Sequence, residues 1–189
     1  HLNRSTVRRE RPDRNWKLFR VPLTFPASKT PVDPYVVGTW LGDGTKDSAQ
    51  WTLGLAKEDI LNYLVSKAPT YSCIPKVRWE ARINAWNLSY TIRNLRGKRP
   101  GTRYASNTFN DYLQQHCVRN DEKRVPSNYI KNSREVRMAV LAGILDTDGS
   151  MHQTTGFEVT TKYPGLRDDI LFIARSLGYA AYFSEKQVK

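Results

Sequence analysis

Three observations predict an α+β fold built from one repeated unit. An apolar stretch ending in an acid and a glycine occurs twice, as Val36-Val37-Gly38-Thr39-Trp40-Leu41-Gly42-Asp43-Gly44 and as Leu141-Ala142-Gly143-Ile144-Leu145-Asp146-Thr147-Asp148-Gly149. Gly38 and Gly143 lie 105 residues apart, as do Asp43 and Asp148. Each copy is followed by strand-like alternation and then by a helical period. The 189 residues, 39% hydrophobic and 11% aromatic, suffice for a folded core of one or two domains.

Residues 1–30 are basic. Arg8, Arg9, Arg11, Arg14, Lys17 and Arg20 surround Trp16, Phe19 and Phe25, which predicts an extended arm with a short strand near Lys17–Leu23. The first repeat and its connecting segment then occupy 31–131. Asp33-Pro34 marks a helix start, with Asp as N-cap and Pro in the first turn; this helix is expected to stop near Leu41. Gln50–Leu55 alternates as a strand. Ile60, Leu61, Leu64 and Val65 give a helix over Lys57–Ala68, closed by Pro69.

Lys76–Asn94 predicts two antiparallel strands with a turn near Asn84–Asn87. Val77, Trp79, Ala81, Ile83 and Ala85 form an apolar face, and Lys76, Arg78, Glu80, Arg82, Asn84 and Trp86 an open one. Arg96–Arg103 reads as a basic loop, and Ser106–Val118 as a short helix with Phe109, Tyr112 and Leu113 inward. The second repeat occupies 132–189. Asn132 and Glu135 suggest a capping box for the helix that carries the second motif. Phe157–Lys162 is a strand, Pro164–Leu177 a helix stopped by Gly178, and Tyr179–Ser184 a further strand. The remaining elements of this repeat are expected to be missing.

Thirty Lys and Arg against eighteen Asp and Glu leave a net charge of +12, spread along the chain. That pattern points to a polyanion, nucleic acid above all. No apolar run approaches the roughly 20 residues that span a bilayer, so a membrane role is not expected. Cys73 and Cys117 lack metal-ligand spacing and read as ordinary thiols of a reducing, intracellular compartment.

The chemistry is carried by the repeated stretch. A helix that ends in acids opposes its own dipole, and a metal ion is the simplest relief. Glycine in mid-helix costs roughly 1 kcal/mol against alanine, so Gly38 and Gly143 predict close packing of the two helices. Their ends then bring Asp43 and Asp148 together, where Mg²⁺ would be held by a few carboxylates plus water and phosphate oxygens. One Asp-Gly pair would be an ordinary turn; two, each ending a glycine-bearing apolar helix, predict a site.

Leu141–Gly149 resembles the LAGLIDADG homing endonucleases, and Val36–Gly44 the more degenerate first motif of their single-chain members. The resemblance covers about Pro31–Lys189, and the approach Pro31–Tyr35 is similar to endonuclease domains carried by inteins, fungal ones in particular. It implies a pseudo-twofold pair of αββαββα units whose antiparallel β saddles straddle double-stranded DNA, with the second repeat incomplete here. It implies Asp43 and Asp148 as the catalytic, metal-binding acids, with Mg²⁺ or Mn²⁺ as cofactor. Asp146 has no acidic counterpart in the first copy and is set aside. Lys123, in Lys123-Arg124-Val125-Pro126, matches the Lys-x-x-Pro lysine of intein-type members, whose proposed role is to polarise the attacking water or stabilise charge on the phosphate.

Lys46, Gln50, Arg78, Arg82, Asn84, Arg93, Lys162 and Lys186 are candidates for DNA groove or backbone contact. Arg96, Lys98, Arg99 and Arg103 are candidates for phosphate contact. The function expected is site-specific double-strand cleavage in intein homing, in the nucleus if the host is eukaryotic. The alternatives are a cleavage-deficient or maturase-like binding domain and a relative of the fungal mating-type switching nucleases. The chain neither opens on Cys or Ser nor closes on His-Asn, so splicing chemistry would reside in a flanking domain joined through 1–30.

Overall fold

The computed structural model describes residues 21–92, 107–152 and 156–185. At its centre two helices lie side by side, α1 (Pro34–Asp43) and α5 (Arg134–Asp148). A Cβ on Gly38 would fall 2.3 Å from the Val140 carbonyl oxygen and 3.0 Å from the Gly143 Cα. One on Gly143 would fall 2.4 Å from the Tyr35 carbonyl oxygen. Backbone meets backbone at this crossing, as the sequence predicts, and only glycine allows it on either side. Val36, Val37 and Trp40 of α1 and Val140 and Ile144 of α5 are buried.

Asp33 caps α1, its carboxylate accepting from the backbone N–H of Tyr35 at 2.9 Å. The expected stop at Leu41 is corrected, since α1 continues through Gly42 to Asp43. The physical reason is that the Gly44 N–H still reaches the Trp40 carbonyl at 2.9 Å, closing a further helical bond beyond Leu41. The second start is corrected too. Asn132 is fully buried and no capping box forms with Glu135. The Asn132 carboxamide is drawn instead to Ser28, whose N–H it accepts at 3.0 Å and whose carbonyl it donates to at 3.0 Å. Arg137, also buried, donates to the Leu23 carbonyl at 2.7 Å and the Ser176 carbonyl at 2.9 Å. Residues 21–30 are therefore docked on α5 rather than forming an arm, and contain no strand; residues 1–20 lie outside the described residues.

After α1, Gly44 bridges to Trp51 of β1 (Gln50–Gly54). A 3-10 turn over Leu55–Lys57 leads into α2 (Glu58–Lys67), and a second over Ala68–Tyr71 carries Pro69. β2 (Ile74–Glu80) and β3 (Ala85–Thr91) complete a sheet of order β1-β3-β2, antiparallel throughout. The turn falls at Ala81–Asn84, three residues before its expected place, with Asn84 at φ 50°. This shifts the pattern of faces. Trp79 pairs with Trp86, their rings edge-to-face at 4.8 Å, and Ala85 pairs with Glu80 on the other side. Trp51, Leu53 and Leu88 are buried, whereas Val77 and Trp79 of β2 and Ile83 of the turn stay substantially exposed.

α3 (Thr108–Tyr112), capped by Asn107, widens into a π turn over Leu113–Cys117. The short pair β4 (Val118–Arg119) and β5 (Glu122–Lys123) and the turn of α4 (Ser127–Ile130) lead to α5. Then β6 (Gly149–His152) pairs with β7 (Gly156–Val159), and α6 (Pro164–Ser176) closes the series. β6 was not expected from its polar sequence. The predicted strand over Tyr179–Ser184 does not form: no described strand lies beside it to take its hydrogen bonds, and Tyr182 is 85% exposed. Arg124 and Asp169 form a bidentate pair at 2.7 and 2.8 Å that fastens the segment after β5 to α6. Cys73 and Cys117 are buried and unpaired. The architecture is α+β, helices with antiparallel strands.

Candidate active site

α1 and α5 end together. A Cβ on Gly42 would lie 2.1 Å from Thr147 Oγ1 and 3.3 Å from the Asp148 Cβ. Asp148 thus stands against the last turn of α1, whose final residue is Asp43. The two helix C-termini, each carrying partial negative charge, converge at a pair of carboxylates. Two lysines answer that charge.

Lys123 is 4% exposed and comes from β5. Its Nζ donates to the carbonyls of Gly44 at 2.6 Å, Trp40 at 2.9 Å, Leu41 at 3.1 Å and Gly42 at 3.3 Å, and lies 4.9 Å from the centre of the Trp40 ring. It is a cap for the carbonyls that a helix end leaves unpaired. Burial lowers its pKa to about 8, against the opposing pull of the Asp148 and Asp43 charges. The ammonium thus lies within electrostatic reach of both acids, but its contacts are with backbone oxygen.

Lys57 was not foreseen. Its Nζ bonds the Asp43 carboxylate at 2.5 Å and also the Thr147 carbonyl of α5. It ends the 3-10 turn after β1, and nothing in its local sequence distinguishes it from other lysines that open a helix. Asp43 is half-buried. Loss of hydration raises its pKa above the usual carboxylate range, opposed by the Lys57 bond and the charges of Lys57 and Lys123. Asp148 reaches solvent, yet enough protein surrounds it that dehydration also raises its pKa, and the like charge of Asp43 adds to the rise. Asp148 accepts no hydrogen bond from the described residues.

The donor set fits a hard divalent cation. Two carboxylates at adjoining helix ends, each disfavoured in its ionised form by burial and one by its neighbour's charge, would be relieved by a metal between them. No group of three or more His, Cys, Asp or Glu converges among the described residues, so remaining positions would fall to water and phosphate oxygens. Asp146 points elsewhere, accepting from the Tyr35 hydroxyl at 2.8 Å.

Of the candidates for nucleic-acid contact, Gln50 and Arg78 share the sheet face opposite the buried Trp51 and Leu53. Thr52, Asn87 and Arg78 form one cross-strand row, and Gln50, Ser89 and Lys76 the next. Thr52, Asn87 and Ser89 join this face only through strand pairing, and Lys76, on the open face by alternation, shares it. Arg82 and Asn84 lie in the β2–β3 turn, off the face. Lys46 is ion-paired with Asp121, and Lys162 lies near enough to lower the Asp121 pKa as well. Arg93, Arg96, Lys98, Arg99, Arg103 and Lys186 lie outside the described residues.

Residues 124–189, which contain Asp148, match the family model described as homing endonuclease. A homothallic switching endonuclease of Saccharomyces cerevisiae is 24% identical over 199 residues, covering 90% of this chain and 31% of that protein. The chain is thus similar, over residues 124–189, to homing endonucleases. A replicative DNA helicase DnaB of Mycobacterium intracellulare is 28% identical over 167 residues, covering 88% of this chain and 23% of the helicase. The chain spans between about a quarter and a third of the length of these relatives. The homing-endonuclease match begins at Arg124, so α1, Asp43 and Lys123 precede it. No helix among the described residues is long and apolar enough to cross a membrane.

Proposed function

We propose that the chain is the nuclease core of a LAGLIDADG-type homing endonuclease that cuts both strands of a specific DNA site. The observation that carries this reading is the convergence of Asp43 and Asp148 at the adjoining ends of α1 and α5. Asp43 and Asp148 would hold Mg²⁺ or Mn²⁺ in a pseudo-twofold arrangement, one acid from each repeat. Bound there, the metal supplies an activated water and charge relief at the phosphate. Lys123 holds the end of α1, and so the position of Asp43, while its charge favours the approach of phosphate. Its amine is fully engaged with carbonyls, so its part is positional and electrostatic rather than proton transfer. The polar face of β1, β2 and β3 meets the DNA, with Arg78 and Asn87 able to pair with purine edges.

The setting we infer is an intein, with a splicing domain in the same precursor and residues 1–30 at the junction. Support comes from the same unit matching under a quarter of a helicase and about a third of an endonuclease; an element inserted into unrelated hosts has that distribution. Its place of action would be where the host genome lies, the nucleus in a eukaryote.

A second reading, a domain that binds DNA without cutting, is favoured by one feature: Lys57 already occupies an Asp43 oxygen. Incubation with a library of long duplexes and Mg²⁺ separates the two. Sequence-specific double-strand cuts are expected, with a loss of at least about a hundredfold in Asp148→Asn. Specific binding with no cuts by the unaltered chain would favour the second reading.

A further inference from the structure

We infer that Lys57 is an internal counter-ion that holds the cation position beside Asp43 until a divalent metal displaces it. The inference rests on the metal reading above. Lys57 Nζ joins the last residue of α1 to the last turn of α5, through the Asp43 carboxylate at 2.5 Å and the Thr147 carbonyl. A metal shared between the two helices needs oxygen from both, and this ammonium already takes one from each. It also neutralises the point where two helix dipoles and a half-buried carboxylate meet. Asp148, beside it, accepts no hydrogen bond from the described residues. An arriving metal therefore finds one acid open and the other engaged.

The lysine has somewhere to go. A cavity of about 680 Å³ adjoins it, lined by Tyr35, Asp59, Ile60, Tyr63 and Asp146. Asp59 and Asp146 offer carboxylate acceptors there, so the ammonium exchanges one acid for another rather than entering an apolar pocket. The Lys57 side chain is 28% exposed, which lets water reach it during the exchange. A point charge on a flexible stem suits such movement better than a planar guanidinium. The consequence is a protein whose acids are balanced without metal, and whose metal affinity is reduced by the competition.

The test is Mn²⁺ titration of the 189-residue chain, reading free Mn²⁺ by electron paramagnetic resonance. Lys57→Met is expected to bind Mn²⁺ about tenfold more tightly than the unaltered chain, the scale of one lost charge-assisted hydrogen bond. Asp148→Asn is expected to lose the site. A second measurement needs no disruptive variant: in the ¹⁵N-lysine-labelled chain, the ammonium signal missing from Lys57→Arg should shift as Mg²⁺ is added. Equal or weaker Mn²⁺ binding by Lys57→Met overturns the counter-ion role while leaving the metal site standing. So does an ammonium signal that Mg²⁺ leaves unmoved while the chain binds it. Binding by the unaltered chain and Lys57→Met no stronger than by Asp148→Asn overturns the metal reading, and this inference with it.

Discussion

Single residues carry charge into places where the fold must answer it. Lys123 shows the cost and the use of that. A buried ammonium is tolerated because it meets four carbonyls of one helix end. Lys123→Met removes this donor from the Leu41, Gly42 and Gly44 carbonyls, while the Trp40 carbonyl keeps the Gly44 N–H at 2.9 Å, and should lower stability by about 2–3 kcal/mol in urea unfolding. Asp33 is the complementary case at the other end of α1. Burial alone would raise its pKa, but bonds from Lys67 at 2.9 Å and Tyr63 at 2.8 Å hold it below the usual 3.8. A folded pKa below the unfolded one means that the unfolded chain takes up protons first as pH falls. The stability Asp33 contributes is thus complete above 3.8 and is lost as pH falls through the lower folded value. Asp33→Asn should cost about 1–2 kcal/mol at pH 7. Paired urea melts should show that difference shrinking only below about pH 4.

At the scale of elements, the site depends on how closely two helices approach. α1 and α5 touch through Gly38 and Gly143, and the approach is maintained at their ends, where a Cβ at Gly42 would overlap Thr147. Gly143→Ala puts a methyl 2.4 Å from the Tyr35 carbonyl oxygen and 2.7 Å from the Thr39 nitrogen. Both obstacles are helix backbone, which cannot rotate aside. The substitution should destabilise by about 2–4 kcal/mol despite alanine's higher helix propensity, measurable as a fall in thermal midpoint. Both helices were readable because an apolar run with an unexplained mid-helix glycine and a closing Asp-Gly recurs at one spacing. β6 was not readable, since Gly149-Ser150-Met151-His152 has no alternation and becomes a strand only by pairing with β7. The β2–β3 turn was misplaced for a similar reason. Ala81-Arg82-Ile83-Asn84 continues the alternation of the strand before it, and only the pairing of Trp79 with Trp86 ends that strand.

For the whole molecule, an excess of twelve positive charges makes association with any duplex salt-sensitive, so affinity alone does not identify a target. The sheet face is where sequence reading would appear. Arg78 stands in one row with Asn87 and Thr52, the last two joined by a hydrogen bond of 3.2 Å that orients the row. Arg78→Ala should relax preference at one base pair by about 1–3 kcal/mol, and change the salt slope by no more than about 1. Binding selection from a randomised duplex at two salt concentrations measures both. A uniform loss across all sequences would instead place Arg78 on phosphate.

The sequence by itself determined the two helices, their glycines, the pair of acids and the strong positive charge of the chain. Each is a matter of local period, of a residue type with one physical use, or of total charge. Only the tertiary structure decided what surrounds those acids. Lys57 and Asp43 meet because a turn after β1 folds back against α1, and Lys123 reaches α1 from a strand some 80 residues later. Neither lysine differs in its own neighbourhood from one that ends in water. A charge acquires its role from the groups that the fold brings within a few ångströms, and for these two those groups come from distant parts of the chain.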